Sequence, residues 1–327
     1  MRVFVFNYRR FNEEQYFIRY SDELGIELGF TEDPPSMDNI DLTEGYDAIS
    51  IITTKIDSSL MDRLRDNGVK VISTRTIGFD HIDLEYAKSI GMAVAHITYD
   101  PNGVAEYTVM AILVAVKRLK EIITRTMKND FTFKGLLSST FGNSTVGVIG
   151  AGNIGKAVMR DLSGFGCRIL YTGRKPNDDA DRYGTFVPME ELLGNSDVIT
   201  LHAELNSETY HMIDSHAFGL MKKGSVIVNT ARGPLVDTDA LIDALKSGHL
   251  GGAFIDVVEK EFGLYYNDCE GTDLSGHPIG ILREMPNVVL THHMAFYYDT
   301  AIRDMVRNSL SGISDILNGK ENPYRLV

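Results

Sequence analysis

The chain has little of several things that would place it elsewhere. Cys167 and Cys269 are the only cysteines in 327 residues. They offer no disulfide framework and fit a reducing cytosol. Basic residues are outnumbered, 32 Lys and Arg against 45 Asp and Glu, for a formal net charge of −13. No basic stripe is present, which argues against nucleic acid; the acidity serves solubility. No apolar run approaches the roughly 20 residues that a membrane span needs. The opening residues, Met1-Arg2-Val3-Phe4-Val5-Phe6, read as a strand and not as a secretory leader. Repeats and low-complexity tracts are absent. What remains is a chain expected in the cytoplasm, 43% apolar and long enough for about two domains of ~150 residues.

Two series of alternating elements follow. The first hundred residues predict strands at Val3–Phe6, Ala48–Ile52, Val69–Ser73 and Ala93–Ile97, with helices at Glu13–Leu24, Ser58–Arg65 and Leu84–Ser89. Residues 145 to 294 predict seven more strands, beginning with Val146–Ile149 and Arg168–Tyr171 and closing with Gly252–Val257 and Val288–Thr291. Between the two series, Gly103 to Met127 reads as one long buried helix. It is expected to cross between domains or to line a subunit interface. A last helix, roughly 300 to 317, crosses back. The expected domains are 1–100 and 295–327 for the first, discontinuous one and 101–294 for the second. A ligand cleft is expected between them.

The second series opens on its most informative stretch, Val146-Gly-Val-Ile-Gly-Ala-Gly-Asn-Ile-Gly155. Gly150, Gly152 and Gly155 stand in G-x-G-x-x-G spacing between a strand and a helix. That context makes a dinucleotide site: a tight turn, room for a pyrophosphate, and a helix N-terminus, with Asn153 and Ile154 in its first turn, turned to the phosphates. Ligands of open α/β sheets bind at the carboxyl ends of strands. There this chain places His202 and Ala203; Thr230, Ala231 and Arg232; Asp256, Glu259 and Glu261; and His292 and His293. An arginine to fork onto a carboxylate, a histidine to give a proton and a carboxylate to support it suit the reduction of a 2-oxo acid by a nicotinamide cofactor.

At these residues the chain resembles the D-isomer-specific 2-hydroxyacid dehydrogenase family over nearly its whole length, within the D-lactate and D-2-hydroxyisocaproate subgroup and nearest the vancomycin-resistance type. Asn229-Thr230-Ala231-Arg232-Gly233-Pro234 looks like the family's arginine signature, and Thr291-His292-His293-Met294-Ala295 like its histidine signature. The resemblance implies a Rossmann dinucleotide-binding domain inserted in a flavodoxin-like substrate domain. It implies catalytic roles for Arg232, Glu261 and His293, with Glu259 the rival glutamate, and cofactor contact by Asp256 and His202. It also implies substrate contact by Tyr99, Phe296 and the loop Arg75-Thr76-Ile77-Gly78, whose backbone N–H groups meet the carboxylate. The long stretch Phe262 to Pro286 is a mark of the subgroup, which is commonly dimeric, so a homodimer is expected. Thr53 in the pocket leaves room beyond pyruvate.

Two departures from the family pattern stand out. His292 and Glu204 occupy positions where proline is usual. The adjacent His292 and His293 point to opposite faces, so no shared metal is expected. A third departure concerns the cofactor. An NAD site places an acid about 20 residues after the glycines. Here the strand ends Thr172-Gly173-Arg174-Lys175, with no acid and two cations. NADP(H) is therefore expected as the preferred cofactor, with NAD(H) as the alternative. Two rival functions are a formate- or phosphite-type dehydrogenase of the same superfamily and a cofactor-sensing corepressor-like binding protein.

Overall fold

Short apolar runs bounded by helices favour parallel sheets covered on both faces. A computed structural model describing residues 1–327 contains two such sheets. The chain forms two compact units, 1–100 with 297–327, and 101–296. The returning segment thus begins at Tyr297, two residues later than expected from sequence. The reason is local. Ala295 donates its N–H to the Asp256 carboxylate at 2.9 Å, and Phe296 meets the His293 ring edge-on at 5.8 Å.

In the first unit the strands are β1 (Arg2–Val5), β2 (Glu27–Phe30), β3 (Ala48–Ile51), β4 (Val71–Thr74) and β5 (Ala93–Ala95), all parallel in the order β2-β1-β3-β4-β5. β3 and β4 are wholly buried. β2 was not anticipated; it is an edge strand with two exposed residues, so its apolar pattern is weak. Helix Asp299–Leu317 returns to this unit and buries Val306, Leu310 and Ile313 in its core. The small Ser309 on that helix bonds the hydroxyls of Ser50 at 2.7 Å and Ser73 at 2.9 Å, which seats it on β3 and β4.

The second unit holds β6 (Thr145–Ile149), β7 (Arg168–Thr172), β8 (Thr185–Phe186), β9 (Val198–Leu201), β10 (Val226–Asn229), β11 (Gly252–Ile255) and β12 (Val288–Leu290). Their order is β12-β11-β10-β9-β6-β7-β8. Ile149 lies opposite both Thr172 and Leu201, Asn229 opposite Leu201 and Ile255, and Ile255 opposite Leu290. This register ends the central strands level, so the polar residues after each leave along one edge. The strand order reverses between β6 and β9, the switch point where such sheets bind ligands.

The long helix expected from Gly103 to Met127 is two helices, Asn102–Val116 and Leu119–Met127. Arg118 breaks it with a left-handed backbone at φ +54°. Its guanidinium bonds Glu121 at 2.7 Å and the Gly135 carbonyl at 2.6 Å, contacts that hold the bend. The first helix packs Ala105, Ala111 and Ile112 into the core of the second unit. The second helix buries none of its residues.

Candidate active site

The glycine turn after β6 needs its glycines. Gly150 is left-handed at φ +98°, and a Cβ there would lie 2.6 Å from the His202 carbonyl. A Cβ on Gly155 would lie 1.9 Å from the Gly150 carbonyl oxygen. At Gly152 a Cβ would meet nothing within 4 Å, which leaves open space beside the turn. Helix Asn153–Ser163 starts there. Its first backbone bond runs from Lys156 to Gly152, so the N–H groups of Asn153, Ile154 and Gly155 precede the helical ladder. A turn without side chains, an open flank and unspent amides fit the pyrophosphate of a dinucleotide.

Beyond β11 and β12 the backbone builds a histidine–glutamate pair. His293 Nδ1 lies 2.8 Å from Glu261 Oε1, with both side chains mostly buried. The other Glu261 oxygen accepts the Val258 N–H at 2.9 Å. With Nδ1 facing a carboxylate, the proton on that nitrogen points to Glu261 and Nε2 is the outward atom. His293 is left-handed at φ +60°, an uncommon state for a non-glycine residue. Two bonds hold it: its N–H donates to the Asp256 carbonyl at 2.8 Å, and Tyr266 Oη donates to its own carbonyl at 3.2 Å. Next to it, His292 sits exposed with the Tyr265 ring edge-on at 6.4 Å.

Asp256, the cofactor contact that the resemblance implies, is fully buried. Its carboxylate accepts Thr291 Oγ1 at 2.6 Å, Met294 N–H at 2.8 Å and Ala295 N–H at 2.9 Å. All three donors belong to the turn that carries His293. Asp256 therefore shapes that turn, because β11 ends one residue earlier and delivers its side chain beneath it.

Arg232 follows β10, the neighbour of β11. Asn229 braces its loop, giving Nδ2–H to the Arg232 carbonyl at 2.8 Å and accepting the Ala231 N–H at 3.1 Å. Arg232 Nη1 donates to the Ala231 carbonyl at 2.8 Å. Thr230 is buried and shares a hydrogen bond with Thr108 at 2.9 Å. Gly233 lies so close to the next loop that a Cβ would fall 2.3 Å from the Val258 carbonyl carbon. Arg232, Glu261 and His293 thus sit on loops after three adjacent strands, β10, β11 and β12, on one sheet edge.

The cofactor-side residues sit as follows. Thr172 ends β7 buried, and its carbonyl accepts the Gly150 N–H at 2.9 Å. Arg174 reaches Glu204 at 3.4 Å, while Lys175 is exposed. His202 shares a hydrogen bond with Thr200 at 3.0 Å, and burial pushes its imidazole down to about 3, so the ring is neutral. Ala203 follows it beside Gly150.

In the first unit, Ile77 and Gly78 stand beyond the end of β4, and neither amide has a hydrogen-bond acceptor in the chain. Tyr99 meets the Tyr298 ring edge-on at 6.2 Å. Thr53 lies just past β3 and is half-buried. Arg75 is placed differently from the expectation. Its N–H is spent on the Ile51 carbonyl at 2.7 Å, and its guanidinium is fully buried. That side chain donates to Ser50 Oγ at 3.0 Å and to the Phe6 and Asn7 carbonyls at 3.0 and 3.1 Å. Burial pushes its pKa down, and Glu13 at 3.4 Å is its counter-charge. Arg75 ties β4 to the end of β1 and offers nothing to a ligand.

The sequence profile described as D-isomer specific 2-hydroxyacid dehydrogenase, NAD binding domain, matches residues 109–295. The chain is 41% identical over 269 residues to a D-specific alpha-keto acid dehydrogenase of Enterococcus faecium, covering 82% of each. This chain belongs to the D-isomer-specific 2-hydroxyacid dehydrogenases. Its fold matches a D-lactate dehydrogenase from Treponema pallidum with TM-score 0.88 at 33% identity, covering 100% of each chain. It also matches the NAD-complexed form of a family member from Lactobacillus delbrueckii ssp. bulgaricus with TM-score 0.84 at 30% identity, again over 100% of each. The dehydrogenase is an oxidoreductase acting on a CH–OH carbon, and its second unit is an NAD-binding domain.

Two features of the dehydrogenase escaped the reading of its sequence. Tyr266 lies 6.1 Å from the His293 ring, and its hydroxyl holds the His293 carbonyl. His211 binds Glu259 at 2.8 Å, so the rival glutamate has a histidine of its own. The adjacent Tyr265-Tyr266 pair was a visible signal for the first. For the second there was none.

Proposed function

We propose that this dehydrogenase reduces a 2-oxo acid to the (R)-2-hydroxy acid, with Arg232, Glu261 and His293 carrying the chemistry. The observation behind the reading is the Glu261–His293 contact at 2.8 Å, which leaves Nε2 of the same ring without a hydrogen bond. The cofactor, when bound, supplies the hydride. Arg232 forks onto the substrate carboxylate and polarises its carbonyl. His293 gives the Nε2 proton to the oxygen of the forming hydroxyl. Glu261 fixes the ring through Nδ1. In the first unit, the unspent amides of Ile77 and Gly78 are suited to a carboxylate, and Thr53 and Tyr99 are its candidate substrate contacts; Phe296 is the candidate substrate contact of the second unit. Turnover of 2-oxo acids of increasing side-chain size, assayed with NADH and NADPH and with product chirality read out, tests this. One enantiomer should form throughout. A cofactor that binds while no 2-oxo acid turns over would sink the reading in favour of a cofactor-sensing binding protein.

NADP(H) is the preferred cofactor in this reading and NAD(H) the alternative. Support comes from the missing acid at Thr172 and the exposed Lys175. The working form is a homodimer. Ile123, Met127, Phe131, Phe133 and Leu137 are all exposed along helix Leu119–Met127 and the segment after it, an apolar surface suited to a second copy. Phe133→Asp should lower the mass measured by light scattering from dimer to monomer. Two free cysteines suit the cytoplasm, and no helix is long and apolar enough to cross a membrane.

A further inference from the structure

The Arg174–Glu204 ion pair has no part in the chemistry above, yet its position is informative. β7 and β9 flank β6, with Ile149 level with Thr172 and Leu201. Arg174 stands two residues beyond β7 and Glu204 three beyond β9. Their contact at 3.4 Å therefore links the two loops on either side of the glycine turn. Glu204 is held there by its loop, since its carbonyl accepts Thr209 Oγ1 at 2.6 Å. The loop after β7 is pinned as well, by Asn177 Nδ2 donating to the Ala151 carbonyl at 3.3 Å.

We infer that Glu204 sets the cofactor preference of this chain by competing with the 2′ substituent of the adenosine ribose for Arg174. The inference rests on the reading of the glycine turn as a dinucleotide site. No acid ends β7, so Thr172 does not discriminate. Glu204 supplies the missing carboxylate from the other side. Toward a 2′-hydroxyl it is a hydrogen-bond acceptor, the role an acid at the strand end has elsewhere. Toward a 2′-phosphate it acts twice: it occupies the guanidinium that would fork onto the phosphate, and it repels the dianion. Both side chains are largely exposed, 83% for Arg174 and 52% for Glu204, and exposed pairs hold weakly. A phosphate can therefore displace the carboxylate, at a loss of affinity. The pair admits both cofactors and narrows the margin between them. Lys175 is the cation that Glu204 leaves unneutralised.

Equilibrium binding tests this without turnover. Kd values for NADPH and NADH are measured by cofactor fluorescence for the wild type, Glu204→Gln, Arg174→Ala and the double variant. Adenosine 2′,5′-bisphosphate and 5′-AMP, which lack the nicotinamide, are measured by calorimetry. Glu204→Gln should raise the preference for the 2′-phosphorylated partner of each pair by about tenfold, the scale of one near charge removed at a surface. Arg174→Ala should lower that preference, and the double variant should show no gain over Arg174→Ala alone. A Glu204→Gln ratio within twofold of the wild type overturns the inference, as does a gain that survives without Arg174. If neither cofactor binds the wild type, the dinucleotide reading falls and this inference with it. If NADH binds the wild type better than NADPH while Glu204→Gln still shifts the ratio, only the proposed preference falls.

Discussion

Two histidine–glutamate pairs lie in the second unit, and each closes at 2.8 Å. They use different ring nitrogens. His293 turns Nδ1 to Glu261 and leaves Nε2 outward. His211 turns Nε2 to Glu259 and has Nδ1 4.0 Å from Asp237, so both of its nitrogens face carboxylates. The glutamates differ too. The second oxygen of Glu261 holds only the Val258 N–H. The second oxygen of Glu259 takes both the N–H and the hydroxyl of Thr238, at 3.1 and 2.7 Å. Thr238 starts the helix just after the Arg232 loop. One pair keeps a proton-carrying atom available. The other is saturated and ties loops together. A His–Glu contact is therefore not a catalytic signature by itself; what separates the two is an unspent ring nitrogen at a strand-end edge.

The sharpest way to break this comparison is to remove each histidine. His293→Ala should lower kcat for 2-oxo acid reduction by about 10²–10⁴, the usual scale for a general acid. His211→Ala should stay within about tenfold of wild type, the scale of lost positioning rather than lost chemistry. Equal losses in steady-state assays would dissolve the distinction. Arg232→Ala comes next, with kcat/KM down by about 10²–10³ and KM raised, as for loss of a charge-stabilising donor. Glu261→Gln is third. It keeps a hydrogen bond to Nδ1 but not the negative charge beside it, so kcat for reduction should fall by about 10–10²-fold, the scale of lost positioning. A kcat that matches the wild type would sink the pairing as a catalytic device.

The smallest effect concerns stability. Burial pushes the Glu259 carboxyl up, but hydrogen bonds from His211 and Thr238 outweigh it, and it titrates below its ordinary range. A carboxyl lowered on folding adds stability above its unfolded pKa and loses it as pH falls through the folded one. Glu259→Gln should therefore be less stable than wild type near neutrality in urea melts, with the gap closing in the acid range. A gap independent of pH would mean that packing, not charge, makes the difference.

Much of the fold was legible because its signals are local. The glycine turn and the strand-end polar residues follow from turn chemistry and strand period, which neighbours in sequence dictate. The break at Arg118 was not legible, since neither glycine nor proline marks it and the bend depends on the distant Gly135 carbonyl. Arg75 was expected at a ligand because its loop resembles the one whose backbone N–H groups meet the substrate carboxylate in the family. Its guanidinium turns inward because Glu13, Ser50 and two carbonyls after β1 supply partners that no sequence window contains. The two-sheet architecture, the glycine turn and the polar residue types along the strand-end edge were thus settled by sequence alone. Which glutamate serves which histidine was not. Glu259 and Glu261 are two residues apart with the same chemistry, and only the tertiary course of the loop, pressed against Gly233 and turned under His293, sends one carboxylate to His211 and the other to His293.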